Sequence, residues 1–315
     1  MGDSLKPMLK KRKINWHRLL AELFVSLLII FFIFTLIKNS SNNEQVSFIS
    51  EDDINNYDYS NFKTFNLDLH SQEYLLIDLS EYKVLYGYDY EKVIYPASLT
   101  KLVTLDTFLH LFSDLADTSS FSNAQRIDLI QQDASLAKLE VDYQYSLNDL
   151  LYALILPSGA DAAVCLENYA KQNGYDLVEQ MNMLCNSLGC KSSHFTNTTG
   201  LHDDDLYTSL SDLLLVVEDL LQYEIATKIL ETVEYMLPND NQIFSTMFLL
   251  KNQKINVLGG KTGNTDESGQ SVMVFYEKDN RNYMLIVANA LGYKQKEYLH
   301  MEDILKIFDE LYKEN

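Results

Sequence analysis

Residues 95–101 read Tyr95-Pro96-Ala97-Ser98-Leu99-Thr100-Lys101, and they open the helix around which we expect the domain to fold. Pro96 halts the element that precedes it, because proline fixes φ and removes a backbone donor. The residues after Ser98 are apolar on every side of a helix, and this pattern predicts a central, buried helix. Its apolar positions are Leu99, Leu102, Val103, Leu105, Phe108, Leu109, Leu111 and Phe112.

Ser98 and Lys101 are unusual because they are polar side chains at the edge of a buried helix. At positions i and i+3 they share one face of the first turn, close enough for the amine to accept the proton of the hydroxyl. Desolvation disfavours the charged form of a buried lysine, and a lysine base must be neutral. The alternative is an N-cap serine beside a solvated lysine, since a bare S-x-x-K arises about once by chance in a chain of this length.

Strand patterns lie at both ends of the domain, with helical patterns between them. We predict an α/β fold in which one antiparallel sheet is assembled from both chain ends, flanked by helices, with an inserted helical lobe. The active site would lie at the seam between sheet and lobe. The predicted elements are a hairpin of strands Tyr74–Asp78 and Lys83–Tyr88, helices within 99–251, strands Val257–Lys261, Ser271–Tyr276 and Tyr283–Ala290, the last two joined by a turn at residues 278–281, and a last helix at Lys296–Tyr312.

Two further motifs contain residues suited to serine chemistry. Residues 261–263 read Lys-Thr-Gly on the first carboxy-terminal strand, where a small residue lets a substrate approach the strand edge. Ser158 lies in a tight turn that opens a helix. The alternatives are an exposed strand end with a chance Lys-Thr-Gly, and an N-cap serine with Asp161 in the first helical turn.

The three motifs together resemble a known enzyme superfamily. In this order, Ser98-x-x-Lys101, Ser158-Gly159-x and Lys261-Thr262-Gly263 are similar to the motifs of penicillin-binding proteins and serine β-lactamases. Longer matches, over residues 96–101, 156–159, 195–201 and 260–265, resemble the D-alanyl-D-alanine carboxypeptidases among the low-molecular-mass penicillin-binding proteins. The resemblance covers most of residues 70–292, but not the carboxy-terminal β domain that many members carry. It implies a β-lactamase/DD-peptidase-like fold.

The resemblance also implies how the reacting bond would be cleaved. Ser98 would attack the carbonyl between the last two D-alanines of a peptidoglycan stem peptide, Lys101 would accept its proton, and Ser158 would relay a proton to the departing amine. Water would then hydrolyse the acyl-enzyme. β-Lactams would be covalent inhibitors, and the reaction would require no cofactor and no metal.

The third motif would bind and polarise the substrate. Lys261 and Thr262 would hold the terminal carboxylate, and Gly263 would keep the strand edge open. The charge of Lys261 would also help to keep Lys101 neutral. The backbone N–H groups of Ser98 and Asn264 would form the oxyanion hole.

Two residues depart from the family pattern, and Asn264, often histidine in relatives, matters less than Ala160 because the role expected at Asn264 is chiefly a backbone one. Ala160 stands where the family usually has an asparagine that contacts the lysine base and the substrate. Asn148 and Asn197 are candidate substitutes for this amide, whereas His194 and His202 are interpreted as ordinary loop residues. The alternatives from other classes are a β-lactamase, although S-D-N is absent here, and a non-catalytic wall-binding or scaffold homologue, which Ala160 motivates.

The amino-terminal residues indicate a membrane anchor. Residues 19–37 are almost continuously apolar and about as long as a bilayer core requires. Because the flank before them is basic, we predict a cytoplasmic tail at 1–18, a transmembrane signal anchor at 19–37, a polar linker at 38–62 and an extracytoplasmic catalytic domain at 63–315. The competing interpretation is a cleaved signal peptide, although no A-x-A-like site follows.

Charge and cysteine usage exclude some functions. The chain has a formal net charge of −20, and residues 39–315 alone hold 18 basic and 43 acidic residues. Phosphate repulsion therefore argues against nucleic-acid binding.

The three cysteines, Cys165, Cys185 and Cys190, match no zinc spacing and are interpreted as buried thiols, with a Cys185–Cys190 disulfide as the alternative.

The predicted topology can be tested on intact, wall-stripped cells. Added protease is expected to digest the catalytic domain, because the positive-inside rule holds only the basic tail in the cytoplasm. Immunoblotting with an antibody against the domain measures this. Protection of the domain would reverse the orientation, and a mature amino terminus near Ser40 would indicate a cleaved signal peptide.

Overall fold

The computed structural model describes residues 57–250, 256–291 and 298–313. Its strands are β1 (Glu73–Asp78), β2 (Lys83–Tyr88), β3 (Thr118–Ser119), β4 (Tyr145–Ser146), β5 (Glu234–Met236), β6 (Gln242–Phe244), β7 (Asn256–Thr265), β8 (Gly269–Lys278) and β9 (Arg281–Ala290). Its α-helices are α1 (Thr100–Leu111), α2 (Asn123–Gln131), α3 (Leu147–Ile155), α4 (Ala160–Gln172), α5 (Leu177–Ser187), α6 (Leu210–Leu220), α7 (Glu224–Glu231) and α8 (Leu299–Lys313).

The main sheet has five antiparallel strands in the order β2-β1-β9-β8-β7. The first two strands come from the start of the domain and the other three from its end, as the sequence predicts. Strand β1 lies beside β9 in a register that places Leu75 opposite Ile286. The predicted sheet assembled from both chain ends is therefore confirmed.

Both faces of this sheet are covered, which explains why β1 is buried at every residue. Leu75 and Ile77 face the core shared with the helical lobe. Tyr74 and Leu76 face a second core beneath α8. The period of two along a strand places its apolar residues alternately in these two cores.

Helix α1 is the centre of the helical lobe. All of its residues from Thr100 to Leu109 are buried, and it packs against α3, α4, α5 and α6. Its apolar faces account for this position, because a helix that is apolar all round can only be stable inside a core. The predicted central helix is confirmed.

The observed strands extend beyond the predicted ones at the carboxy-terminal end. Strand β7 continues to Thr265, so the Lys-Thr-Gly residues lie within the strand and pair with residues 271–273 of β8. The predicted turn between β8 and β9 is present, with Asp279 and Asn280 at φ of 53° and 59°. Such paired left-handed residues suit a two-residue hairpin turn.

The amino-terminal predictions fall mostly outside the described residues. This holds for the tail, for the anchor at 19–37 and for residues 38–56 of the linker. Residues 57–62 contact the domain: the Asp58 N–H donates to the Tyr82 carbonyl, and the Tyr59 ring stacks on Tyr90. In the part of the chain that the structure describes, none of the helices has the length and apolarity needed to cross a bilayer.

The three cysteines are free thiols rather than a disulfide pair. Cys165 and Cys185 are buried and belong to the core shared by sheet and helical lobe. The Cys190 N–H donates to the Cys185 carbonyl as α5 ends, with Gly189 at a φ of 81°. The interpretation of Cys165 and Cys185 as buried thiols is confirmed.

Candidate active site

Ser98 lies on a single 3₁₀ turn, Ala97–Leu99, that leads directly into α1. The Lys101 amine donates to the Ser98 hydroxyl at 3.2 Å and also to the Thr199 carbonyl. Ser98 is half-buried, whereas Lys101 is 1% exposed. The alternative of a solvated lysine is therefore wrong, because the apolar surroundings of α1 enclose the amine.

A loop built around Asn197 holds the carbonyl that binds Lys101. The side-chain oxygen Oδ1 of Asn197 accepts from the N–H groups of Thr199 and Gly200, and its side-chain Nδ2 donates to the Leu201 carbonyl. Gly200 has a φ of 74°, and a Cβ there would lie 2.0 Å from the Ala97 carbonyl oxygen. The loop thus fits closely against the turn that carries Ser98.

The second pair consists of Ser158 and Lys261. The Lys261 amine donates to the Ser158 hydroxyl at 2.9 Å and to the Thr262 carbonyl at 2.8 Å. Ser158 has a φ of 62° in the turn before α4, and Gly159 rather than Ser158 is the N-cap of that helix. The simple capping interpretation of Ser158 is wrong, because its hydroxyl bonds to a buried lysine on another element.

Strand β7 lies directly against the serine turn. A Cβ at Gly263 would lie 2.8 Å from the Pro96 carbonyl oxygen and 3.3 Å from the Leu99 nitrogen. The absence of a side chain at Gly263 therefore allows strand and turn to pack together. The half-buried Thr262 donates its hydroxyl to Thr246 at 2.8 Å.

A cleft of about 500 Å³ opens at the seam between sheet and lobe. Three of the predicted site residues line it, namely Ser98, Lys101 and Asn264, whereas Ser158 and Lys261 are buried behind its surface. Its remaining lining is formed by Ala160 and by residues 132–135, 199–202 and 265–267.

Burial dominates the electrostatics of the two lysines. It lowers the pKa of Lys101 to about 7, against the opposing effect of the Asp161 carboxylate. Burial also lowers the pKa of Lys261 well below its usual range, and the nearby Lys101 lowers it further. With a pKa of about 7, a large share of Lys101 is a neutral amine near neutral pH.

Comparison with known proteins identifies the family of this fold and site. The family model described as D-alanyl-D-alanine carboxypeptidase matches residues 60–292. The chain belongs to the D-alanyl-D-alanine carboxypeptidase family. The resemblance that the three motifs carry is therefore confirmed.

Two relatives are about one quarter identical to this chain over the aligned residues. The Bacillus subtilis D-alanyl-D-alanine carboxypeptidase DacF is 27% identical over 242 residues, which are 74% of this chain and 61% of that protein. The Escherichia coli D-alanyl-D-alanine carboxypeptidase DacA is 26% identical over 72% of this chain and 58% of its own length. The chain therefore spans about three fifths of the length of these curated relatives.

Solved structures support the fold. The crystal structure of the Streptomyces K15 DD-transpeptidase superposes with a TM-score of 0.69 at 20% identity, covering 78% of this chain and 98% of that one. At this identity the likeness concerns the fold alone. The predicted β-lactamase/DD-peptidase-like architecture is confirmed.

Ala160, the departure from the carboxypeptidase family pattern, lies in the cleft wall. It is 1% exposed, and its N–H donates to the Ser135 carbonyl. Neither candidate substitute for the amide belongs to the described lining of the cleft. Asn197 is engaged within its own loop, and Asn148 donates to the Tyr235 hydroxyl at 3.3 Å.

Several residues of the candidate site were not identified from the sequence. Thr199 contributes a backbone carbonyl, which any residue could supply, so no side-chain pattern reveals it. Asp161 accepts hydrogen bonds from the N–H groups of Ala137, Leu139 and Ala162 and thereby holds the cleft wall. Burial raises the pKa of Asp161, against the lowering effect of these hydrogen bonds.

His194 and His202, on either side of the loop built around Asn197, differ in position relative to the cleft. His194 is exposed, its Nδ1–H donates to the Asp205 carbonyl, and it is not among the described residues that line the cleft. His202 lines the cleft and contacts the Tyr95 ring edge-on. Its only described carboxylate neighbour within ion-pair distance is the exposed Asp204, at 3.4 Å.

The fit of the Gly200 loop can be tested with Gly200→Ala and with Gly174→Ala as a matched control. Both glycines have positive φ, 74° and 88°, but a Cβ at Gly174 meets nothing within 4 Å. The control should lose about 1–2 kcal/mol of unfolding free energy from backbone strain alone. Gly200→Ala should lose more, because the loop must also move away from Ala97, and urea denaturation followed by circular dichroism measures both. Equal losses in the two variants would contradict the close fit.

Proposed function

We propose that this chain is a serine D-alanyl-D-alanine carboxypeptidase that removes the terminal D-alanine from peptidoglycan stem peptides. The observation that carries the proposal is the amine of Lys101, buried, 3.2 Å from the Ser98 hydroxyl and with its pKa lowered to about 7. A base whose pKa lies close to the operating pH is neutral in a useful fraction of the molecules and still binds a proton well. Family membership supports the same reaction.

Acylation would begin at Ser98. Its Oγ attacks the carbonyl carbon between the two D-alanines while the proton of the hydroxyl passes to the Lys101 amine. The Thr199 carbonyl holds that amine beside the serine in the free enzyme. The backbone N–H groups of Ser98 and Asn264 are suited to the developing oxyanion, since both residues line the same cleft.

Departure of D-alanine needs a proton on the leaving amine. Ser158 is suited to this relay because its hydroxyl accepts a hydrogen bond from the Lys261 amine at 2.9 Å. The proton taken up by Lys101 would pass through Ser158 to the amine as the C–N bond breaks. Water, activated by the neutral Lys101, would then cleave the ester bond and restore the Ser98 hydroxyl.

Recognition of the terminal carboxylate would rest on β7. The Thr262 hydroxyl is half-buried and can turn from Thr246 to the substrate. Lys261 is fully buried, so it would act on the carboxylate from behind Ser158, and only in its protonated form. Because an incoming carboxylate stabilises an ammonium, substrate binding would raise the protonated fraction of Lys261.

We further propose that residues 19–37 anchor the enzyme in the cell membrane with the domain outside the cytoplasm. The apolar length and the basic flank support this. The wall peptide would be the substrate partner and β-lactams would acylate Ser98. Nucleic acid is not a partner that the acidic domain would attract.

D-Alanine release from a peptide ending in D-Ala-D-Ala tests the activity. The parent is expected to release free D-alanine, and Ser98→Ala to release none while keeping the parent's circular dichroism spectrum. Ser80→Ala, an exposed serine on the β1–β2 turn, is the control and should match the parent. Release by Ser98→Ala would contradict the assignment, and rapid turnover of a β-lactam in place of peptide would favour the β-lactamase alternative.

The pH dependence of acylation follows from the lowered pKa of Lys101. The rate of labelling by a fluorescent penicillin should rise from pH 5 to pH 8 with a midpoint near the pKa of about 7, because raising the pH converts the ammonium to the neutral base. Lys101→Ala should be slower by about 10²- to 10⁴-fold. A rate independent of pH in this range would show that Lys101 is not the base.

The effect of Ala160 is measured with Ala160→Asn, with Ala160→Leu as a control for bulk without an amide. A missing hydrogen bond is worth about 0.5–1.5 kcal/mol, so the asparagine variant should acylate roughly 2- to 10-fold faster than the parent. The leucine variant should gain nothing. An inactive parent together with an active Ala160→Asn variant would support the non-catalytic alternative.

A further inference from the structure

A buried cluster of metal-ligating side chains joins α1 to α6 outside the catalytic cleft. Asp106 and His110 lie one turn apart on α1, and Asp219 lies near the end of α6. One donor atom from each lies within 4.8 Å of the other two. His110 Nε2 is hydrogen-bonded to Asp219 Oδ2 at 2.6 Å and lies 3.8 Å from Asp106 Oδ1. A metal ion bound by both residues would replace this hydrogen bond and release its proton to water.

The carboxylates of this cluster are not satisfied by the protein residues that the structure describes. Asp106 is 0% exposed and Asp219 is 1% exposed. Neither oxygen of Asp106, nor Oδ1 of Asp219, accepts a hydrogen bond from any of these residues. A buried carboxylate without donors is costly, so these three oxygens indicate a positively charged ligand or a proton.

The charge of the cluster is unbalanced. With a neutral imidazole the two carboxylates carry a charge of −2, which a divalent cation neutralises in full. A protonated imidazole leaves a charge of −1. Burial, and secondly Asp219, raise the pKa of Asp106 well above its usual range, so a proton on this carboxylate is the competing solution.

We infer that Asp106, His110 and Asp219 bind a divalent transition-metal ion of the zinc class. One imidazole nitrogen with two carboxylates is a donor set that zinc accepts, whereas magnesium and calcium take oxygen ligands. Three protein ligands leave a fourth position for water, and the His110 side chain, 8% exposed, marks the side from which the ion enters.

The ion would have a structural role. It ties α1 to α6, and α1 also carries Lys101, five residues before Asp106. Because Lys101 and Asp106 lie on different faces of the helix, the ion does not reach the catalytic amine. This inference does not depend on the proposed carboxypeptidase activity.

Zinc binding by the full chain in detergent tests the site. The protein is stripped with a chelator, dialysed and titrated with ZnCl₂, and elemental analysis is expected to find one zinc ion per chain after free metal is removed. The Tm should rise by about 5 °C or more when zinc exceeds Kd about 100-fold.

Three variants decide whether the cluster is the binding site. Asp106→Asn removes one charged ligand at almost constant volume, and His110→Gln removes the nitrogen ligand; each should weaken zinc binding about 100-fold or more. His70→Gln is the control, because His70 is an exposed histidine beside Glu302, and it should bind zinc as the parent does. Circular dichroism of the metal-free variants verifies that they fold. If only one of the two ligand variants folds, that variant alone decides whether the cluster binds zinc.

Two results would overturn the inference. One is a parent that binds no zinc above the level of Asp106→Asn. The other is zinc binding that leaves the Tm of the parent unchanged. In both cases a proton on Asp106, rather than a metal ion, neutralises the cluster.

Discussion

The rest of the site depends on the burial of one amine. Lys101 is buried in the first turn of α1, and among the described residues its amine donates to the Ser98 hydroxyl and the Thr199 carbonyl. Removing an ammonium from water is costly, so the group becomes a neutral base near pH 7. Without this desolvation, a lysine three residues after a serine would remain charged and could not be the proposed base.

The fold provides this burial by bringing distant segments around a single helical turn. The loop with Asn197 supplies the carbonyl, the turn before α4 supplies Ser158, and β7 supplies Lys261. Gly200 and Gly263 allow loop and strand to approach the serine turn more closely than any side chain would permit. Left-handed backbone at Ala97 and Ser158, with φ of 47° and 62°, is a local strain that such close packing maintains.

Much of the architecture could be predicted from the sequence, because apolar periodicity and turn residues determine local structure. The β1–β2 and β8–β9 hairpins, the buried helix after Ser98 and the assembly of one sheet from both chain ends follow from such patterns. The motifs also identified Ser98, Lys101, Ser158 and Lys261, which the structure brings together in hydrogen-bonded pairs.

Features that depend on tertiary contacts were not predictable. The Thr199 carbonyl is a backbone group, and the buried position of Lys261 behind Ser158 depends on strand β7 meeting the turn before α4. The sequence pattern predicts that Asp161 is an ordinary acidic residue in a first helical turn, yet its carboxylate accepts hydrogen bonds from three backbone N–H groups. Asn197 was a candidate for the missing amide, but its side chain is already hydrogen-bonded within its own loop.

A direct titration measures the charge of the Lys101 side chain. In protein labelled with ¹³C at the lysine ε-carbons, the NMR signal of Lys101, assigned by its loss in Lys101→Arg, should titrate with a pKa of about 7. A pKa near the ordinary lysine value of about 10.4 would contradict the account, because the amine would then be charged near neutral pH and could not be the proposed base.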